Sequence, residues 1–303
     1  MRVTLLGTGT PAPSLTRQSS GYLIDVGGDV LVFDHGPGAH HRLLEAGRQA
    51  TEVTHAFFSH LHYDHCMDYA RLVLQRWDQG AGRIPELKVY GPAPIVRMTD
   101  LLFGEDGVYG VDIRARIEHQ SSLDVYAGRG GTGARYRPAP QVTEITAGQE
   151  VKGGTWTLTT GRASHVQPQL ECLAFRLESD GGSLCYSGDS GACDEVVELS
   201  RGCDVLIHMN HHYSGREPSR AYRAACGNHE DNAVTAQRAG VKMLVLTHIL
   251  SELDQPEIRA EILAHIQRVF DGQVVWGEDL MQIDVKAGQS PRSIPHARQP
   301  SSA

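Results

Sequence analysis

One stretch constrains this chain more than any other: Ser59-His60-Leu61-His62-Tyr63-Asp64-His65. It places three imidazoles and one carboxylate within six residues. Donors of these types at this density suit zinc, iron or manganese. A lone histidine is usually structural. Four polar donors in H-x-H-x-D-H order are different, because burying them with nothing to neutralise them costs several kcal/mol. The apolar run Ala56-Phe57-Phe58 before the stretch reads as a buried strand. After it, Tyr69, Val73 and Trp77, with Ala70 and Leu74, recur at helical spacing. The cluster therefore sits on a strand-to-helix turn, where side chains converge on one point.

Two hairpin-like beginnings organise the rest. Gly21 to Val26 and Val30 to Phe33 alternate around Gly27-Gly28-Asp29. A second strand-rich run follows in the other half: Trp156 to Thr159, Cys172 to Leu177, Leu184 to Tyr186, Val205 to His208 and Met243 to Thr247. Helical patterns fall at His40 to Leu44, Ile95 to Phe103, Asp231 to Ala239 and from Pro256, where Ile258, Ile262, Ile266 and Val269 share a face. Val274 to Trp276 and Met281 to Val285 close the strand set. Strands and helices alternate in both halves, so two sheets with helices outside would bury them all. Gly7-Thr8-Gly9-Thr10-Pro11 is a tight loop and not a phosphate cradle, since no third glycine opens a helix.

The stretch from Gly80 to Gly154 says least. Its Gly128-Arg129-Gly130-Gly131-Thr132-Gly133 run reads as a loop. Arg129, Arg135 and Arg137 are expected to be solvated there, with an anionic substrate as the alternative contact. The tail at 287–303, rich in Ser, Pro, Gln and Arg, reads as disordered, which leaves one domain across residues 1–286.

Charge and cysteine usage narrow the function class. A net charge of −8 argues against a broad nucleic-acid-binding surface, though not against a local basic groove; with the missing arm described below, a small-molecule substrate is expected and a nucleic acid is not. None of the 6 cysteines forms a C-x-x-C pair, so they read as small buried hydrophobes. No charged leader precedes the strand-like Val3 to Leu6 and no run approaches membrane-span length, so a soluble cytoplasmic chain without a membrane partner is expected.

Three later loops, each after an expected strand, offer His165, Asp189 and His248. The set His60, His62, Asp64, His65, His165, Asp189 and His248 resembles the metallo-β-lactamase superfamily. Leu6-Gly7-Thr8-Gly9-Thr10-Pro11, Phe33-Asp34-His35-Gly36, Cys203-Asp204-Val205-Leu206-Ile207-His208 and Leu246-Thr247-His248 are similar to its ribonuclease Z and arylsulfatase-like branch. The resemblance implies an α/β (α+β) fold, the four-layer αββα sandwich. It also implies two zinc ions per chain, with manganese or iron as alternatives. His60, His62 and His165 would hold one, Asp64, His65 and His248 the other, and Asp189 would bridge them with a water. Asp34 would orient a ligand histidine, or merely cap its turn. Asp64 would take part in catalysis by shuttling a proton, and His229 would be a general acid or a helix-capping residue. A homodimer follows from the same resemblance.

The chain also departs from that branch. No lysine- and glycine-rich arm of the kind that grips transfer RNA is present. Where relatives continue Leu-Ile-His with Glu, this chain has Met209-Asn210-His211-His212-Tyr213. Asn210 or His211 would then bind substrate, or replace a ligand and leave a single metal. The expectation is a zinc-dependent hydrolase acting on a small phosphate or sulfate ester or another activated electrophile. The alternatives are a transfer RNA 3′-processing endonuclease, a hydrolytic dehalogenase of an activated aromatic, and a non-catalytic metal-binding scaffold.

Overall fold

Strand parity decides the architecture. Val3 and Leu5, Tyr22 and Ile24, and Leu31 and Phe33 point one way from their strands, and Leu6, Leu23 and Val32 point the other. Both sets are buried, so each sheet must be covered on both faces. The computed structural model, which describes residues 1–286 and 291–294, meets that demand with two sheets packed face to face between two helical layers.

The strands are β1 (Arg2–Gly7), β2 (Gly21–Val26), β3 (Asp29–His35), β4 (His55–Phe57), β5 (Lys88–Gly91), β6 (Gln141–Glu144), β7 (Glu150–Lys152), β8 (Trp156–Arg162), β9 (Leu173–Ser179), β10 (Gly182–Tyr186), β11 (Val205–Met209), β12 (Met243–Thr247), β13 (Gln273–Trp276), β14 (Met281–Asp284) and β15 (Arg292–Ser293). The first sheet runs β15-β14-β1-β2-β3-β4-β5-β6 and the second β13-β12-β11-β10-β9-β8-β7. In each, an antiparallel half passes into a parallel half, at β3–β4 and at β10–β11. Between the sheets lie Leu5, Tyr22, Phe33, Phe57, Phe175 and Tyr186. The rings of Phe33 and Phe175 stand 5.3 Å apart across the interface.

The helices are α1 (Ala39–Glu45), α2 (Tyr63–Cys66), α3 (Tyr69–Gly80), α4 (Ile95–Phe103), α5 (Gly110–Glu118), α6 (Gln120–Gly128), α7 (Asp194–Ser200), α8 (Arg220–Ala225), α9 (His229–Ala239) and α10 (Pro256–Gln267). Leu43, Tyr69, Val73 and Ile95 cover the outer face of the first sheet. Val197, Ala233, Ala236, Ile262 and Ile266 cover that of the second. The expected αββα sandwich is therefore the fold. The β3–β4 and β10–β11–β12 pairings are parallel, so the carboxyl ends of these strands open on common edges. Loops at such ends are where α/β proteins place their chemistry.

Some expectations need correcting. In the Gly80 to Gly154 stretch, α5, α6, β6 and β7 were not foreseen, and α7 and α8 were missed elsewhere. Arg135 is not solvated: its side chain is 2% exposed and donates to Asp78 at 2.6 Å. It stacks on Trp77, with the guanidinium 4.2 Å from the ring centroid. Arg129 and Arg116 converge on the same carboxylate, and Arg137 donates to the Phe103 and Gly104 carbonyls. Val269 leaves the apolar face of its helix region and is 43% exposed. Most of the tail expected to be disordered lies outside the described residues. Arg292–Ser293, within it, pairs with β14. The cysteines are all free and mostly buried, as expected. No described helix is long and apolar enough to cross a membrane.

Candidate metal centre

Asp34 is the anchor from which the centre is built. It is the next-to-last residue of β3, in a left-handed conformation (φ 53°) that costs a non-glycine residue energy. Its fully buried carboxylate accepts from the Ser59 backbone N–H (2.7 Å), Ser59 Oγ (2.8 Å), His65 Nδ1 (2.7 Å) and Tyr186 OH (2.7 Å). The first two fix the turn after β4. The third fixes the His65 tautomer, with Nδ1–H donating and Nε2 turned inward. Asp34 thus orients His65 as well as fixing its own turn.

His65 Nε2 is fully buried and has no hydrogen-bond partner. It faces Asp189 Oδ1 at 3.3 Å and Asp64 Oδ2 at 3.5 Å, without hydrogen-bond geometry to either. An orphaned imidazole nitrogen between two carboxylates fits a cation. Around it, donor atoms form two sets, each within 4.8 Å: His60, His62, His165 and Asp189, and Asp64, His65, Asp189 and His248. Asp189 belongs to both, so all seven residues expected as ligands are brought together, and two cations can share one carboxylate.

Several of the other donor residues are fixed by further contacts. Ser59 Oγ sits 3.0 Å from His60 Nδ1, and His60 Nε2 is 2.9 Å from His62 Nδ1. His165 Nδ1 donates to the Ala225 carbonyl at 2.7 Å. Gly188, before Asp189, is in the left-handed region (φ 58°), and a Cβ there would stand 2.7 Å from the Leu173 carbonyl. Only glycine lets that loop deliver its aspartate. His248 is also left-handed (φ 54°), and its Nε2 approaches Asp189 at 3.2 Å and Asp64 at 3.3 Å.

The electrostatics follow from burial and neighbours. Burial holds His60 well below the usual imidazole range, so it offers a lone pair. Burial opposes charge on Asp189, but His248 and His65 outweigh it and keep the carboxyl ionised. Burial likewise opposes charge on Asp64, and its contacts with His248 and His65 prevail.

The other candidate residues stand elsewhere. His211 Nδ1 lies 3.1 Å from His248 Nδ1 and steadies that ring from outside the cluster. Nothing at the sequence level links positions 37 apart, and the substrate-binding expectation missed this role. Asn210 is fully buried; its Oδ1 accepts from Asn232 at 3.3 Å, and its Nδ2 has no hydrogen-bond partner. His229, expected as a general acid, is also fully buried. Its ring nitrogens contact Ser214 and His265 and none of the seven ligands.

A family profile described as the beta-lactamase superfamily domain matches residues 22–249. Ribonuclease Z of Mycolicibacterium gilvum (strain PYR-GCK) is 29% identical over 294 residues, covering 95% of this chain and 97% of that protein. Ribonuclease Z of Mycobacterium tuberculosis (strain ATCC 25177 / H37Ra) is 29% identical, with 94% and 98% covered. The metallo-β-lactamase fold protein YhfI from Bacillus subtilis superposes with a TM-score of 0.71 at 20% identity, covering 93% of this chain and 98% of that one. The human short-form tRNase Z gives 0.66 at 21% identity, covering 94% and 99%.

These relatives overturn the expectation of a small-molecule substrate and no nucleic-acid partner, since the two sequence relatives named above, matched along nearly their whole length, are ribonucleases Z. The physical error is plain. Net charge sums the whole surface, whereas phosphate recognition depends on the field at one site. With a matching profile across 228 residues, the αββα sandwich and the paired donor sets, the chain belongs to the β-lactamase superfamily, in its metallo-β-lactamase form.

Proposed function

We propose that this chain is a metal-dependent hydrolase that cleaves RNA phosphodiesters in the manner of a ribonuclease Z, acting on precursor transfer RNA. The observation that carries the reading is the pair of four-donor sets sharing Asp189. Two cations a few Å apart suit in-line displacement at phosphorus better than a single ion does. Full-length similarity to ribonucleases Z adds the substrate class.

The cations, taken as two zinc ions, would supply Lewis acidity and a lowered water pKa. The chain's residues do the rest. His60, His62 and His165 would hold one ion and Asp64, His65 and His248 the second, with Asp189 in reach of both donor sets. Asp64, kept ionised, accepts the proton of the attacking water. His211 keeps the His248 ring aligned. The reading also carries one domain over residues 1–286, a homodimer and cytoplasmic placement.

The test is cleavage of precursor transfer RNA by zinc-loaded protein, compared with Asp64→Asn and Asp189→Ala. Cleavage at the 3′ side that both variants abolish is expected. Zinc-loaded, folded protein that leaves the RNA intact would overturn the substrate. Undiminished cleavage by both variants would overturn the site.

A further inference from the structure

His229 took no part in the centre, yet its setting is built. At the contact between α9 and α10 its Nε2 lies 3.2 Å from His265 Nδ1. Ser214 fixes which nitrogen carries the proton. Its hydroxyl gives its only hydrogen to Asn228 Oδ1 at 2.7 Å and accepts from the Glu230 backbone N–H at 3.1 Å. The remaining contact, 3.1 Å to His229 Nδ1, then has the ring N–H donating to Ser214. The rival donor, the Ser214 backbone N–H, is at 3.4 Å, near the limit of a hydrogen bond. His229 therefore presents a lone pair at Nε2, held in place by a partner at its other nitrogen, as a metal-ligating imidazole is.

The Glu230 carboxylate completes the group, and the three donor atoms lie within 4.8 Å of one another. Glu230 is exposed and His265 half-buried, so an ion has a path in and a place for water. Glu261 and Asp231 add negative charge at His229 and offset the positive end of α9. Burial and the neighbouring His265 hold His229 down at about 4, in its neutral form.

We propose that His229, His265 and Glu230 form a further divalent-cation site, separate from the Asp189 centre. Two imidazoles and a carboxylate suit a first-row ion such as zinc or nickel. The bound ion clips α9 to α10 and thereby holds the loop that carries Asn210 to Ser214.

The test is metal stoichiometry. Protein stripped with chelator is reloaded with zinc alone, and bound zinc per chain is measured by elemental analysis for the native chain and for His265→Ala. His265→Ala is expected to hold about one equivalent less, whatever the Asp189 centre holds. The same difference is expected in an Asp189→Ala background, so failure of the central site and failure of this one are told apart. Equal zinc in native and His265→Ala protein overturns the proposal, leaving a plain histidine–histidine hydrogen bond. If His265→Ala does not fold, exposed Glu230→Ala replaces it. At least about tenfold weaker binding of the last equivalent is then expected, and unchanged binding is equally fatal.

Discussion

Replacing Asp34 by asparagine keeps shape and removes charge. Oδ2 accepts three hydrogen bonds, from Ser59 Oγ, His65 Nδ1 and Tyr186 OH, and Oδ1 accepts one, from the Ser59 backbone. The amide will therefore turn its NH2 toward the Ser59 N–H, orphaning one buried donor at about 1–3 kcal/mol. The His65 bond loses its charge assistance, worth about 1 kcal/mol more. Metal-free Asp34→Asn should thus unfold about 2–4 kcal/mol more easily in urea. The looser His65 ring should weaken metal binding roughly 10–100-fold, which is about 1.4–2.7 kcal/mol. A competition titration against a chromophoric chelator measures this directly. A variant that loses stability but binds zinc as tightly as the native chain would show that Asp34 only braces its turn, and the reasoning would fail.

Three further outcomes follow from the packing. His208 is fully buried with neither ring nitrogen bonded, and burial pushes it down to about 4. The unfolded chain takes up that proton first, near 6.5. The His208 contribution is therefore complete above that pH and is lost as pH falls toward 4, by at most about 1.4 kcal/mol per unit. His208→Leu should flatten the slope of urea stability between these values, and an unchanged slope counts against it. Asp78→Asn leaves the buried Arg135 guanidinium without its carboxylate and should cost about 3 kcal/mol in chemical denaturation. Recovery in Asp78→Asn/Arg135→Met would tie the loss to the stranded charge. His211→Ala should lower zinc affinity roughly tenfold or more while leaving KM near native. A raised KM with native zinc binding would return His211 to the substrate.

What the sequence disclosed was what short range controls. H-x-H-x-D-H lies on one turn, and strand parity is visible in Leu5/Leu6 and Phe33/Val32. His165, Asp189 and His248 were legible only through resemblance, because each is a single residue brought in by a distant strand end. α5 and α6 escaped because their apolar faces are thin: only Gly110 and Ile113 are buried on the first and Tyr126 on the second. Arg135 looked like a solvated loop residue because its partner Asp78 is 57 positions away. The role of His211 was hidden for the same reason. The substrate was misjudged because a missing arm, added to a negative net charge, was weighed more heavily than a local field that the sequence cannot map.

The pairing of β1 with β14 has a consequence for how the protein comes into being. Arg2 meets Asp284 across 282 positions. A ribosome adding about 5–20 residues per second needs roughly 14–56 s to span that gap. Until then β1 has β2 on one side and an open edge on the other, and strand edges left open invite wrong partners. The donor side chains arrive in the same order, His60 early and His248 late. A nascent chain thus carries the H-x-H-x-D-H turn long before Asp189 and His248 can share its load. Metal acquisition is in this sense a closing event of synthesis, and a cell short of a shielding chaperone or of metal at that moment should yield aggregate in preference to apoprotein.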